Sequence, residues 1–231
     1  HVPRGSMRFA KLTKGLVILS GPAGCGKSTT MAMLLEEINK TRKGHIITID
    51  DPIEFLHKHN LSLVTQREIG TDCESTAVAL RSALRQSPDV LFVGEMRDLE
   101  TISLALTAAE TGHLVFSTLH TLGASNTIDR IVDVFPSEQQ HQVRIQLAMV
   151  LQAVISQQLL QTTQDSIVPA FEIMVNNTAI RNQIREGKTH QLSATIRVSK
   201  ADGMITMDES LKELLDKNLI TKEEASLHAF D

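Results

Sequence analysis

The chain has 231 residues, 22% charged and 42% hydrophobic, with a formal net charge of −4. That is ordinary for a soluble globular protein and is enough for one large domain, or one domain plus a small appendage. The acidic balance and the absence of Trp and Tyr argue against a nucleic-acid binder, and Cys25 and Cys73 cannot form a disulfide framework, so a reducing cytoplasm is expected.

No apolar run approaches the roughly 20 residues that span a bilayer. His1-Val2-Pro3-Arg4-Gly5-Ser6 reads as the remnant of an expression tag, so residues 1–6 are set apart from the fold. The apolar run 16–19 predicts a strand that feeds the glycine-rich stretch Gly21-Pro22-Ala23-Gly24-Cys25-Gly26-Lys27-Ser28. Apolar residues at Met31, Leu34, Leu35 and Ile38 then predict a helix over 29–40. A second strand over 46–49 is stopped by Asp50-Asp51-Pro52. A helix over 74–86, a strand over 90–93, a helix over 99–110 and a strand over 114–119 follow. Strands that are nearly all apolar and alternate with helices predict a parallel sheet covered on both faces.

Beyond Ser125 the pattern turns helical. One long helix is expected over 137–160, then a weak strand over 169–174 and helices over 178–186, 207–217 and 221–228. The last opens on Thr221-Lys222-Glu223-Glu224, which reads as a capping box. The expected division is a nucleotide-binding α/β core over 7–160 and a mainly helical region of the same domain over 161–231.

The glycine-rich stretch carries the strongest chemical signal. Its glycines let backbone N–H groups close around phosphate oxygens, and the following helix points its positive end at the same anion. Lys27 is placed to reach the β- and γ-phosphates and the Ser28 hydroxyl to ligate Mg²⁺, so the expected ligands are ATP and Mg²⁺. Residues 21–28, with Thr29 opening the helix, form the expected nucleotide-binding set.

Other polar groups share one property: each follows a predicted strand. Asp50, Asp51 and Glu54 follow the second strand, Glu95 the third and His120 the fourth. Ligands of parallel sheets bind outside the carboxyl ends of the strands, so these groups converge on one edge. Asp50 and Asp51 also read as a plain Asp-Pro turn. Hydrolysis of a phosphoanhydride needs one group to position a metal and another to orient water. Glu54 is assigned the water-activating role and Glu95 the metal side, acting through water, with the reverse assignment open. His120 lies at the ligand edge, whereas His113 enters the strand at its far end and reads as structural. Arg97, Arg130 and Arg144 are candidates for an arginine supplied across a subunit boundary, against the plainer reading of surface ion pairs. Cys25 reads as a tolerated small residue rather than a redox group.

Together these pieces resemble the secretion ATPases that drive type IV pili and type II secretion, and most closely their pilus-retraction branch. The resemblance runs from Gly15 to about Asp216. The aspartate box is matched by Thr48-Ile49-Asp50-Asp51-Pro52-Ile53-Glu54-Phe55, Walker B by Val93-Gly94-Glu95-Met96-Arg97-Asp98, and the histidine box by residues 111–121, which include His113 and His120. It implies an α/β fold: a RecA-like P-loop NTPase core with a mainly parallel sheet and a helical C-terminal region. It also implies ATP hydrolysis by a homohexameric ring that acts on an inner-membrane pilus platform protein, in the cytoplasm and peripheral to the inner membrane. An N-terminal domain of roughly one hundred residues, usual in the family, is expected to be missing here.

Two features favour retraction over extension. Extension and type II secretion ATPases usually carry a four-cysteine zinc motif, and no cysteine follows Cys73. Ala179-Ile180-Arg181-Asn182-Gln183-Ile184-Arg185-Glu186 resembles the retraction motif. Ala23, Cys25, Asp50 and Gln183 depart from the family's usual residues. Small-molecule kinases, nucleic-acid motors and nucleotide-binding scaffolds without turnover are the rival classes.

Overall fold

A computed structural model describes residues 4–231, so His1, Val2 and Pro3 of the expected tag remnant lie outside the described residues. A short helix, α1 (Arg4–Met7), leads into the chain. The order is then β1 (Gly15–Ser20), α2 (Lys27–Thr41), β2 (Gly44–Asp50), β3 (Ser62–Glu68), α3 (Thr76–Ala83), β4 (Val90–Val93), α4 (Leu99–Glu110) and β5 (Leu114–Leu119). The second half holds α5 (Ala124–Asp133), α6 (Ser137–Val150), β6 (Leu151–Gln161), β7 (Ile167–Val175), α7 (Thr178–Arg185), α8 (Leu192–Val198), α9 (Met207–Asp216) and α10 (Lys222–His228).

Among the described residues the seven strands form one sheet in the order β3-β2-β4-β5-β1-β6-β7. β7 runs antiparallel to β6, and the other pairings are parallel. The strands alternate their side chains between two cores, as a period of two requires. Ile47, Leu91, Val93 and Val115 face the layer of α3, α4, α5 and α6. Ile46, Val90, Phe92 and Phe116 face α2 with Leu34, Leu35 and Ile38. The Phe92 and Phe116 rings stack there with centroids 4.7 Å apart. Both faces are therefore covered, and β1, β4 and β5 are buried at every position.

The C-terminal half corrects the expectation most. The single helix over 137–160 is a helix to Val150 and then β6, which pairs parallel to β1. No Gly or Pro marks the change, and the mixed run Leu-Gln-Ala-Val-Ile-Ser-Gln-Gln-Leu-Leu-Gln suits either element. The strand wins because β1 needs a neighbour on its open side, and the β-branched Val154 and Ile155 pack well there. Edge strand β3 escaped the sequence reading because its residues, Ser-Leu-Val-Thr-Gln-Arg-Glu, are largely polar. Asn177 caps α7 by accepting from the Ile180 N–H, and Gly187 at φ +71° follows its C-terminal end. Only half of the expected box forms at Thr221, since Glu224 accepts from the Gln161 N–H instead. The full capping box is Thr206 with Glu209, at α9. Gln183, where the resembling family usually has Leu, exchanges hydrogen bonds with Thr195 and so ties α7 to α8. Among the described residues no helix is long and apolar enough to cross a membrane.

Candidate active site

The carboxyl ends of β1, β2, β4 and β5 surround a cavity of about 520 Å³. Ala23, Gly24 and residues 26–29 line one side of it. Gly26 stands at φ +90°, in the left-handed region, and a Cβ there would lie 2.8 Å from Gln157 Nε2. No side chain caps α2 at this end, so the first-turn N–H groups remain open to an anion. Gly21 and Pro22 work from behind: their carbonyls accept from Lys27 Nζ at 2.7 and 2.9 Å. These bonds and burial fix the ammonium at the cavity wall. Cys25 is buried 3.8 Å from the same ammonium. Burial pushes its thiol pKa up against the opposing pull of Lys27, so it stands as a neutral thiol rather than a nucleophile.

Three strand ends supply the opposite wall. Glu95 is held by its neighbours: the Gly94 N–H donates to the Ile49 carbonyl at 2.8 Å, and the Met96 N–H to Thr118 at 3.2 Å. Its two carboxylate oxygens are engaged, Oε2 by Arg97 Nε at 2.8 Å and Oε1 by His120 Nε2 at 3.1 Å. His120 Nδ1 lies 3.4 Å from Lys27 Nζ. An ammonium only donates, so Nδ1 accepts, and the ring proton sits on Nε2 and points at Glu95. Lys27, His120, Glu95 and Arg97 thus form one polar chain along the wall.

Glu54 reaches the cavity differently. It accepts from the Ser28 hydroxyl at 2.9 Å through Oε1, and among the described residues its Oε2 carries no hydrogen bond. The irregular segment that bears it is strapped by side chains from two elements. Glu36 of α2 meets His57 Nδ1 at 2.7 Å, and buried Asn39 donates to the Lys58 carbonyl at 2.7 Å. From β3, Gln66 accepts from the His57 N–H, and Glu68 accepts from the Ile53 N–H. None of these straps was named from the sequence, because each lies in an element remote from the residue it holds.

Asp50 ends β2 at the cavity, and its carboxylate accepts from Thr48 Oγ1 at 2.7 Å. Burial raises its pKa, and the Thr48 bond only partly offsets this. Asp51 is exposed beside it. His113 lies at the far end of β5, with Nδ1 3.0 Å from the Ala108 carbonyl, a structural contact as expected. Arg130 is exposed on α5, outside the cavity lining, and Arg144 lies on α6 against Gly187. Among the three arginines singled out, Arg97 is the one that lines the cavity within this chain.

Known proteins resemble this chain over nearly its whole length. The chain is 53% identical over 218 residues to the Type IV pilus retractation ATPase PilT of Pseudomonas aeruginosa, covering 94% of this chain and 63% of that protein. It is 52% identical over 223 residues to a twitching motility protein of Neisseria gonorrhoeae, covering 96% of this chain and 60% of that one. A crystal structure of the pilus retraction motor PilT with bound ADP superposes with a TM-score of 0.94 at 50% identity, over all of this chain and 65% of that one. The chain thus spans a little under two thirds of the length of these relatives. The family model described as Type II/IV secretion system protein matches residues 5–227, nearly all of the chain, and the chain belongs to that family.

Proposed function

We propose that this chain is the ATP-hydrolysing part of a motor that powers type IV pilus retraction. The observation that carries the reading is the meeting of a phosphate loop, Glu54, Glu95 and His120 in one cavity. The names of the relatives, a retraction ATPase and a twitching motility protein, support the choice of task.

In this reading the loop amides and Lys27 bind the β- and γ-phosphates. Lys27 is held by two carbonyls and needs little reorganisation to meet them. The residues also fit a magnesium ion. Ser28 donates its proton to Glu54 and keeps both lone pairs for a hard cation, while Asp50 and Glu95 add oxygen donors nearby. When bound, the ion neutralises phosphate charge. Glu54, with one oxygen uncommitted, orients and deprotonates the attacking water. Glu95 is committed to Arg97 and His120, so it serves as fixed negative charge on the metal side, acting through water. His120 sits beside Lys27, where it contacts the γ-phosphate. Arg130, exposed on α5, is assigned a role across a subunit boundary in a homohexameric ring. The ring works in the cytoplasm, peripheral to the inner membrane, against a membrane platform protein.

Helix α7 is the coupling surface. Ile180 and Ile184 are buried, which turns Arg181 and Arg185 outwards, one turn apart. The stretch after Cys73 has no cysteine for the zinc motif of the extension enzymes. The test has two arms. Phosphate release from MgATP is measured for the wild type and Lys27→Ala, where at least a hundredfold loss is expected and equal rates overturn the ATPase reading. In cells, the full-length protein carrying Arg181→Ala with Arg185→Ala is expected to hydrolyse ATP at near wild-type rate but to lose twitching. Normal twitching would remove the retraction role from α7.

A further inference from the structure

We infer that Gln157 on β6 is a positioning residue for nucleotide binding: its carboxamide fixes the shape of the phosphate loop from beneath. The inference rests on the ATP-binding reading above and adds to it a residue outside the glycine-rich motif.

The helix expected over 137–160 would have included Gln157. The structure puts it on the strand beside β1, 4% exposed, directly under the loop. Both ends of its amide are used. Nε2 donates to the Cys25 carbonyl at 2.7 Å, and Oε1 accepts from Thr30 Oγ1 at 2.8 Å. Cys25 lies inside the loop and Thr30 in the first turn of α2, so one rigid planar group spans the junction between them. The backbone of Gln157 is just as close. A Cβ on Gly21 would come within 2.3 Å of its carbonyl oxygen, and a Cβ on Gly26 within 2.8 Å of Nε2. The glycines at both ends of the loop are therefore shaped to this one residue of β6.

A loop that turns its N–H groups towards an anion turns carbonyls the other way, and a buried carbonyl without a partner is costly. Gln157 supplies the donor that Cys25 needs. Its second bond holds Thr30, whose backbone N–H makes a helical bond to the Gly26 carbonyl at 3.1 Å. Only a side chain with a donor and an acceptor in one group satisfies both positions. Gln157 makes no contact with the cavity itself, so it acts through the loop and not on the reacting atoms.

The test compares Gln157→Glu, Gln157→Leu and Thr30→Val in the whole chain, with thermal unfolding as the check on folding. The readouts are the Kd for MgATP and the split between KM and kcat. Gln157→Glu keeps the shape and the Thr30 bond but sets a carboxylate oxygen against the Cys25 carbonyl, adding negative charge beneath the phosphates. It is expected to raise Kd and KM about tenfold or more, with kcat changed less than about threefold. Gln157→Leu should follow in direction. Thr30→Val, which keeps the shape and removes one donor, should raise Kd about threefold. A folded Gln157→Glu protein with wild-type KM overturns the inference, as does a loss confined to kcat. Should both Gln157 variants fail to fold, wild-type affinity in Thr30→Val overturns it instead. Failure of the wild-type chain to bind MgATP overturns the ATP reading itself, a different outcome from any of these.

Discussion

The two walls that bring carboxylates to the cavity are built on different principles. Glu95 and His120 stand directly on strand ends, and the backbone bonds of Gly94 and Met96 to the neighbouring strands locate them. Glu54 stands on an irregular segment whose course depends on side chains from α2 and β3. One wall is placed by the sheet, the other by a set of remote tethers. A group needed as fixed charge suits the first kind of wall. A group that must accept a proton from a mobile water suits the second, where one oxygen is left uncommitted.

Exchanging each carboxylate for its amide breaks this comparison most sharply. Glu54→Gln is expected to retain MgATP binding and to lose turnover by about 10²–10⁴-fold, the usual contribution of a general base. Glu95→Gln is expected to lose turnover as well, but with a weakened dependence on Mg²⁺ and a loosened Arg97 and His120. Single-turnover hydrolysis across a magnesium titration separates the two. Normal hydrolysis in Glu54→Gln beside a dead Glu95→Gln would reverse the roles.

The same difference explains what could be read in the sequence. The phosphate loop, Glu95 and His120 were legible because a short apolar run announces a strand, and a parallel strand's carboxyl end is where ligands bind. The parallel sheet followed from the same runs. Illegible were the elements that answer only to tertiary demand. β6, with Gln152, Ser156, Gln157, Gln158 and Gln161 among its apolar residues, carries no pattern that tells it from a helix, and the polar β3 becomes a strand by pairing along β2. Glu54 itself was legible from its place after β2, but Glu36, Asn39, Gln66 and Glu68 were not. A tether is defined by what it reaches, and no local pattern records that.

A smaller effect tests the tethers. Glu36→Ala removes the partner of His57 and loosens the Glu54 segment without touching the phosphate loop. Small displacements of a catalytic group are costly, so kcat should fall about tenfold while the KM for MgATP stays within about twofold. Glu36→Gln, which keeps an acceptor for His57, should recover most of the rate. An equal fall in both variants would mean that charge at Glu36, rather than the hold on the segment, is what matters.

The smallest expected effect lies at Asp50, where the two walls meet. The residue ends β2, so the sheet places it, but the first tethered residues follow at once. Burial raises its carboxyl pKa above the ordinary 3.8, the Thr48 hydroxyl and His57 pull it down, and Glu54 and Glu68 push it further up. A group whose folded pKa is raised binds its proton more tightly when folded. Its contribution to stability is therefore complete below the unfolded value and is lost as pH rises through the folded one. Asp50→Asn keeps an acceptor for Thr48 and removes the titration. Without nucleotide, the variant should gain thermal stability relative to the wild type as pH rises from below 3.8 towards neutrality. The gap should amount to no more than a few degrees, since 1 kcal/mol moves Tm by about 2–4 °C in a domain of this size. Unfolding scans of both proteins across that pH range read the gap directly. A gap that stays flat would show that water reaches Asp50 freely, and that this junction belongs with the open, tethered wall rather than with the sheet.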